Sequence, residues 1–407
     1  MKILVLDIAA SKTGALSVLK DFYGYVREHP CEGSDGTSSS IVKDKSILPS
    51  AVEPPADAPG LSGEDAAEAA KIRCRKRQSK KNYLVSHKDP GEPVYWTFVT
   101  GASGILESVP EKNIGVTVRD DVKASSKARL IFELFTGGKW VNSLHPDIVF
   151  SLENMLPRGI SPDIRQVLYI HQPVGFQHEK RFSLFNKTER EQALYQRFYH
   201  PLIISSAKRA DSCVVQTEWM KRALLREIGE GRDKVYRIPP DIPDLSEYVH
   251  AGCFDRMSFI YPASDLPYKN HAVIEEARKI LERDGLKPEI LYTKDKVLPR
   301  EEIFAGYNRS TLLFPSYLET YGMPLGEAQQ FGNPIIAADT EFAREVLEGY
   351  ENAHFFGAFN APELASYMRR VMEGEIIPVS PRRREGGHSS YADLVDIILP
   401  GAGADTL

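Results

Sequence analysis

The sequence predicts an α/β protein built from two Rossmann-like domains facing a cleft, and three observations carry that prediction. Apolar runs of four to seven residues alternate with helical stretches, which is the pattern of parallel βαβ units. A segment rich in proline, "DKVYRIPPDIPD" from Asp233 to Asp244, then interrupts the alternation. After it the alternation restarts. At 407 residues the chain is also too long for one ordinary core.

The elements follow in order. "KILVL" (Lys2 to Leu6) reads as a buried first strand and leads through "DIAASKTG" into a helix around Ala15 to Glu28. "YWTFV", "DIVFSL", "QVLYIHQ" and "SCVVQT" read as further strands, with "LYQRFYHPLIISSAKRA" as the helix before the last of them. Pro239 and Pro240 bar a continuing helix and favour extended chain, as a stiff connector requires. Beyond the connector come "MSFIYPA", a helix from about Asn270 to Asp284, "EILYT", "TLLFPS", a helix after Pro324, and "PIIAAD". The expected division is residues 1–240, residues 241–378, and a polar tail at 379–407 that packs back through one short amphipathic piece. Residues 31–81 depart from the pattern. They are poor in large apolar residues and close on "KIRCRKRQSKK", so they read as a disordered insert, with a nuclear-import signal or a tether to anionic lipid as the functional alternatives.

Composition narrows the function. A net charge of -5 argues against nucleic acid as the main partner. Cys31, Cys74, Cys213 and Cys253 lie far apart, which suits reduced thiols in a cytosol better than a disulfide framework or a zinc site. No run approaches the roughly 18 apolar residues of a membrane span, and "MKILVLDIAA" turns polar too early for a secretory signal.

The stretch "FPSYLETYGMPLGEAQQFGNPIIAAD" (Phe314 to Asp339) concentrates the chemistry. A strand ends at Pro315, Gly322 permits a tight turn, Pro324 suits the first helical position, and Gly332 ends the helix. Strand, glycine loop and helix N-terminus gather backbone N–H groups at a positive dipole end, a place for phosphate. Glu319 and Glu327 flank it. Carboxylates repel phosphate but accept hydrogen bonds from sugar hydroxyls, so the layout suits a sugar nucleotide. The spacing also fits a plainer arrangement, with Glu327 complementing the dipole and Glu319 solvated.

"ETYGMPLGEA" resembles the E-x7-E motif of retaining glycosyltransferases with the GT-B architecture, family 4. "YPASDLPYKNH", "VLYIHQPVGFQHEKRFS" and "SCVVQTEWMK" resemble matching blocks of bacterial family-4 enzymes that make surface polysaccharides. The likeness covers most of residues 1–30 and 83–375. It implies that Glu319 contacts hydroxyls of the transferred sugar, that Glu327 holds the nucleotide ribose, and that amides near Gly322 and Met323 face the diphosphate. Lys269 in "PYKNH" matches the lysine that neutralises that diphosphate, and His171 matches a histidine near the transferred sugar. Taken alone, a histidine that ends an apolar strand is more often structural. "ASKTGA" resembles the family's glycine-rich loop, with Gly14 its one glycine where two are frequent.

Family members often carry an arginine five positions before the lysine, where this chain has Ser264. Arg129, Lys180 and Arg181 are candidates to replace that charge, and His178 shares their loop with the last two. The resemblance further implies a nucleoside-diphosphate sugar as donor substrate, no cofactor and no metal. The acceptor would be a saccharide, free or lipid-linked. The protein would be cytoplasmic, and lipid linkage would bring it into peripheral contact with the inner face of the membrane. The rival readings are a sugar-nucleotide-binding protein without turnover, and an epimerase or phosphorylase on the same architecture.

Overall fold

The computed structural model describes residues 1–9, 14–29, 93–107, 112–177, 180–229, 233–294, 298–382 and 389–399. The insert expected at 31–81 lies outside them. By its contacts the chain forms two compact units. One comprises Met1–Ile170, Ser205–Val214 and Asp393–Leu407, and the other His171–Ile204 and Val215–Ala392.

Seven strands make the first sheet: β1 (Lys2–Asp7), β2 (Tyr95–Thr100), β3 (Ile114–Val118), β4 (Ile148–Ser151), β5 (Arg165–Tyr169), β6 (Ser212–Val215) and β7 (Val235–Arg237). Their order is β3-β2-β1-β4-β5-β6-β7. The central strand β1 pairs in parallel on both sides, Leu4 standing opposite Thr97 and Val149. A strand covered on both faces must be apolar along its whole length, and all of β1 after Lys2 is buried. The helix Gly14–Glu28 supplies one cover. It buries Leu19, Phe22, Tyr23 and Val26, the i, i+3, i+4, i+7 stripe of an amphipathic helix. Phe22 meets Phe150 edge-on at 5.5 Å and Trp96 at 5.7 Å. The helix Ser390–Ile398 buries Leu394 and Ile398, and Arg165 donates to the carbonyl of Ile397 at 2.9 Å.

Three strands differ from expectation: β3, β7 and, beyond this sheet, Ala353–Phe356. β3 lies in "NIGVTV", too mild an apolar run to stand out. β7 falls inside the proline-rich connector and is only three residues long.

The second unit holds β8 (Ser258–Tyr261), β9 (Glu289–Tyr292), β10 (Thr311–Phe314), β11 (Ile335–Ala338) and β12 (Ala353–Phe356), ordered β12-β11-β10-β8-β9. Its strands pair in parallel, β10 with β11 and β8, β11 with β12, and β8 with β9. The helices His271–Arg283 and Ala361–Met372 bury Val273, Ile274, Ala277 and Leu281 from one and Leu364, Met368 and Val371 from the other. The chain leaves β8 toward β9 on one side and resumes at β10 on the other. That reversal makes the carboxyl ends of β8 and β10 the switch point, where ligands of open α/β sheets bind.

Candidate functional site at the ends of β8 and β10

After β8 the chain enters a short turn, Pro267–Lys269, ended by Asn270 in the left-handed region (φ 57°). Asn tolerates that conformation better than most residues. Its side-chain amide donates to the carbonyls of Pro315 (3.3 Å) and Ala358 (2.6 Å), tying the β8 loop to the loops after β10 and β12. The Tyr261 hydroxyl holds the Lys269 carbonyl at 2.6 Å. From the β10 side, the Tyr317 N–H and the Ser316 hydroxyl both donate to the Tyr268 carbonyl.

These bonds bring Lys269 and Glu319 together. The Lys269 ammonium pairs with Glu319 Oε1, which also accepts from the Ser316 hydroxyl at 2.7 Å. Both bonds use Oε1. Burial, reinforced by the charge of Glu319, raises the Tyr268 phenol well above its usual range, so it stays a neutral donor.

Gly322 stands at φ 90° and opens the helix Met323–Ala328, with Pro324 its second residue. Two constraints require glycine here: the left-handed backbone, and a Cβ that would sit 3.3 Å from the Phe314 ring. The Met323 N–H belongs to a first turn and has no acceptor within the helix. One turn on, Glu327 is 7% exposed. Arg300 donates to its Oε1 at 2.9 Å and the Tyr307 hydroxyl to its Oε2 at 3.0 Å. Burial raises the Glu327 carboxyl above the usual range, while Arg300 and Tyr307 pull it back.

His171 follows β5 by two residues and is half-buried. Gly14 begins its helix, while Ala10–Thr13 of the glycine-loop motif lie outside the described residues, as does His178. Arg129 pairs with Glu153 at 3.7 Å in the first unit. Lys180 reaches the site's own loop, its ammonium 5.8 Å from the Tyr317 ring and 3.1 Å from Glu189. The Ser264 carbonyl lies 3.0 Å from His271 Nε2, and burial lowers the pKa of that histidine, so this position supplies no replacement charge.

Arg300, Tyr307, Ser316 and Tyr268 escaped the sequence reading. Arg300, Phe304 and Tyr307 fall at i, i+4 and i+7 on one helix face, a signal that could have linked them.

The comparisons meet this geometry. Residues 275–386 match the family model "Glycosyl transferases group 1", so the chain carries a group 1 glycosyltransferase domain, and Glu319 and Glu327 lie inside it. Among solved structures, the chain is similar to HepE of Anabaena in complex with UDP and glucose. The two are 14% identical, with 92% of this chain and 90% of HepE covered and a TM-score of 0.52. Together with the two parallel sheets, that likeness bears out the GT-B fold. TarM also matches, 13% identical over 59% of this chain, with a TM-score of 0.43. The chain spans about half of TarM, 51% of its length. No curated protein sequence matches.

Proposed function

We propose that the protein is a retaining glycosyltransferase that moves a hexosyl unit from a nucleoside-diphosphate sugar to a hydroxyl of a free or lipid-linked saccharide. The observation that carries this reading is the meeting of Lys269 and Glu319 at the switch point between β8 and β10. A cation held beside a hydroxyl-accepting carboxylate suits a ligand that is a diphosphate at one end and a sugar at the other. Lys269 and the amides at Gly322 and Met323 stabilise the charge that gathers on the leaving diphosphate. Preorganised contacts of this kind lower barriers most. Glu319 grips the transferred sugar and Glu327 the ribose. The leaving phosphate takes the acceptor's proton, so no carboxylate nucleophile is needed, unlike a retaining glycosidase. His171 and Gly14 are assigned to the sugar and the donor phosphates on the strength of the resemblance. HepE was crystallised with UDP and glucose, which makes UDP-sugars the first donors to test.

The test is release of nucleoside diphosphate from UDP-, GDP- and ADP-sugars with saccharide acceptors. Glu319→Ala and Lys269→Ala should each lower turnover roughly tenfold to a thousandfold. Near-wild-type rates in both folded variants would refute the assignment.

A further inference from the structure

The segment from Lys180 to Pro201 buries Phe182 but leaves three large apolar side chains in solvent. Phe185 is 94% exposed, Phe198 59% and Leu194 38%. Isolated exposed apolar residues are ordinary, but these three lie on two stretches that hydrogen bonds fasten together. Leu194 and Phe198 are one turn apart on the helical run Arg190–Arg209, whose wider turn at Tyr195–Tyr199 carries Phe198. Phe185 is fastened beside them. Arg190 Nε donates to the Leu184 carbonyl at 3.2 Å, the Ser183 N–H to Glu189 at 3.0 Å, and the Phe182 N–H to Gln196 at 3.0 Å. The loop thus lies along the helix and holds its tip outward.

Among the described residues around these side chains the charge is one-sided. Arg181, Lys187, Arg190 and Arg197 are exposed, against the exposed carboxylate of Glu191. Glu189 is engaged by Lys180, and Glu227 lies 3.4 Å from His200. Arg181 and Arg197 further line one cavity of about 350 Å³, together with Gln177, Gln196, His200 and Glu227. The lining thus carries two guanidiniums against one carboxylate, and a guanidinium's fork geometry suits phosphate oxygens. Exposed aromatics ringed by arginine and lysine form the composition that settles at an anionic lipid interface.

We infer that this face, Arg181 to Phe198, docks on an anionic phospholipid membrane, with Phe185, Leu194 and Phe198 entering the headgroup boundary and Arg181 and Arg197 taking a lipid phosphate. The inference stands on surface chemistry alone and does not depend on the sugar-transfer reading. It gives a lipid-linked acceptor a route to the enzyme without a membrane span.

The experiment is co-sedimentation of the full chain with vesicles of phosphatidylcholine alone or with about a third phosphatidylglycerol. The wild-type chain should bind the anionic vesicles, and salt should weaken that binding. Each basic residue near the surface contributes on the order of fivefold, so Arg190→Glu with Arg197→Glu should lower partitioning more than tenfold. Phe185→Ser with Phe198→Ser should lower it by a similar factor through lost apolar insertion. Circular dichroism checks that each variant folds, and the wild-type salt titration serves if one does not. Equal binding to neutral vesicles, binding untouched by both variants, or a wild-type chain that stays in the supernatant would overturn the inference. The last result would leave the face to a protein partner or to another segment of this chain.

Discussion

Arg300 makes the burial of Glu327 tolerable. A carboxylate held out of water needs a cation or strong donors, and Arg300 and Tyr307 each engage one of its oxygens. Arg300→Ala removes the charged partner and leaves desolvation nearly unopposed, so the Glu327 carboxyl, already raised, must rise further. An acid whose folded pKa lies above its unfolded value is least costly when protonated. The penalty should therefore be absent in acid, appear above the unfolded pKa of 4.5, and grow as pH rises toward the raised value. At pH 8 the expected loss is about 1–3 kcal/mol, the cost of stranding a buried acceptor. Melting curves of both proteins at pH 4 and 8 would check it, and an equal penalty at both would show that Arg300 acts through packing. Donor affinity should fall in the same variant, because Glu327 loses its orientation as well as its charge balance.

At the scale of elements, the helical run after Ser125 carries a buried acid. Its wider turn Phe132–Thr136 buries Glu133 to 3% exposure, with both carboxylate oxygens lacking a hydrogen-bond partner among the described residues. Burial, with the charge of Glu153 adding to it and Arg129 and Arg209 opposing, pushes its pKa up to about 8. Stability from this group is full below pH 4.5 and is lost as pH rises through 8, a swing on the order of 5 kcal/mol. Glu133→Gln should abolish the swing, raising the melting temperature at pH 8.5 by several degrees while changing it little at pH 5. A variant no more stable at pH 8.5 would show that the acid has a partner in solution. Packing sets a second limit nearby, since a Cβ on Gly138 would lie 2.0 Å from the Arg158 carbonyl. Gly138→Ala should cost about 1–3 kcal/mol or more in a denaturant titration.

None of this was legible in the sequence, although most strands and several helices were. A buried strand declares itself by a continuous apolar run, as β1, β8, β10 and β11 do. A wider helical turn carries no compositional mark, and β3 and β7 lacked the apolar run. The same contrast holds at the site. Lys269, Glu319 and Glu327 stand out in the sequence because motif and loop chemistry are local, whereas Arg300 and Tyr307 reach Glu327 from 27 and 20 positions away.

The whole molecule has two compact units, and they divide its roles. Lys269, Glu319, Glu327 and Arg300 all fall in the second unit, and Glu133 in the first. A ligand stabilises whatever it binds in the native state, by about 2.7 kcal/mol at a hundred times its dissociation constant. A nucleotide that occupies the switch point should therefore raise the melting temperature of the unit that contains it. Scanning calorimetry with UDP, GDP and ADP would read that shift directly. Lys269→Ala should shrink it by removing the cation that meets the diphosphate. Glu133→Gln should change the unliganded curve above neutral pH yet leave the nucleotide increment intact, because substitutions in separate units with separate cores add. Crossed effects, with Glu133→Gln abolishing the nucleotide shift, would mean that Glu133 and the nucleotide are energetically coupled. A shift that survives Lys269→Ala undiminished would move the diphosphate away from the ends of β8 and β10.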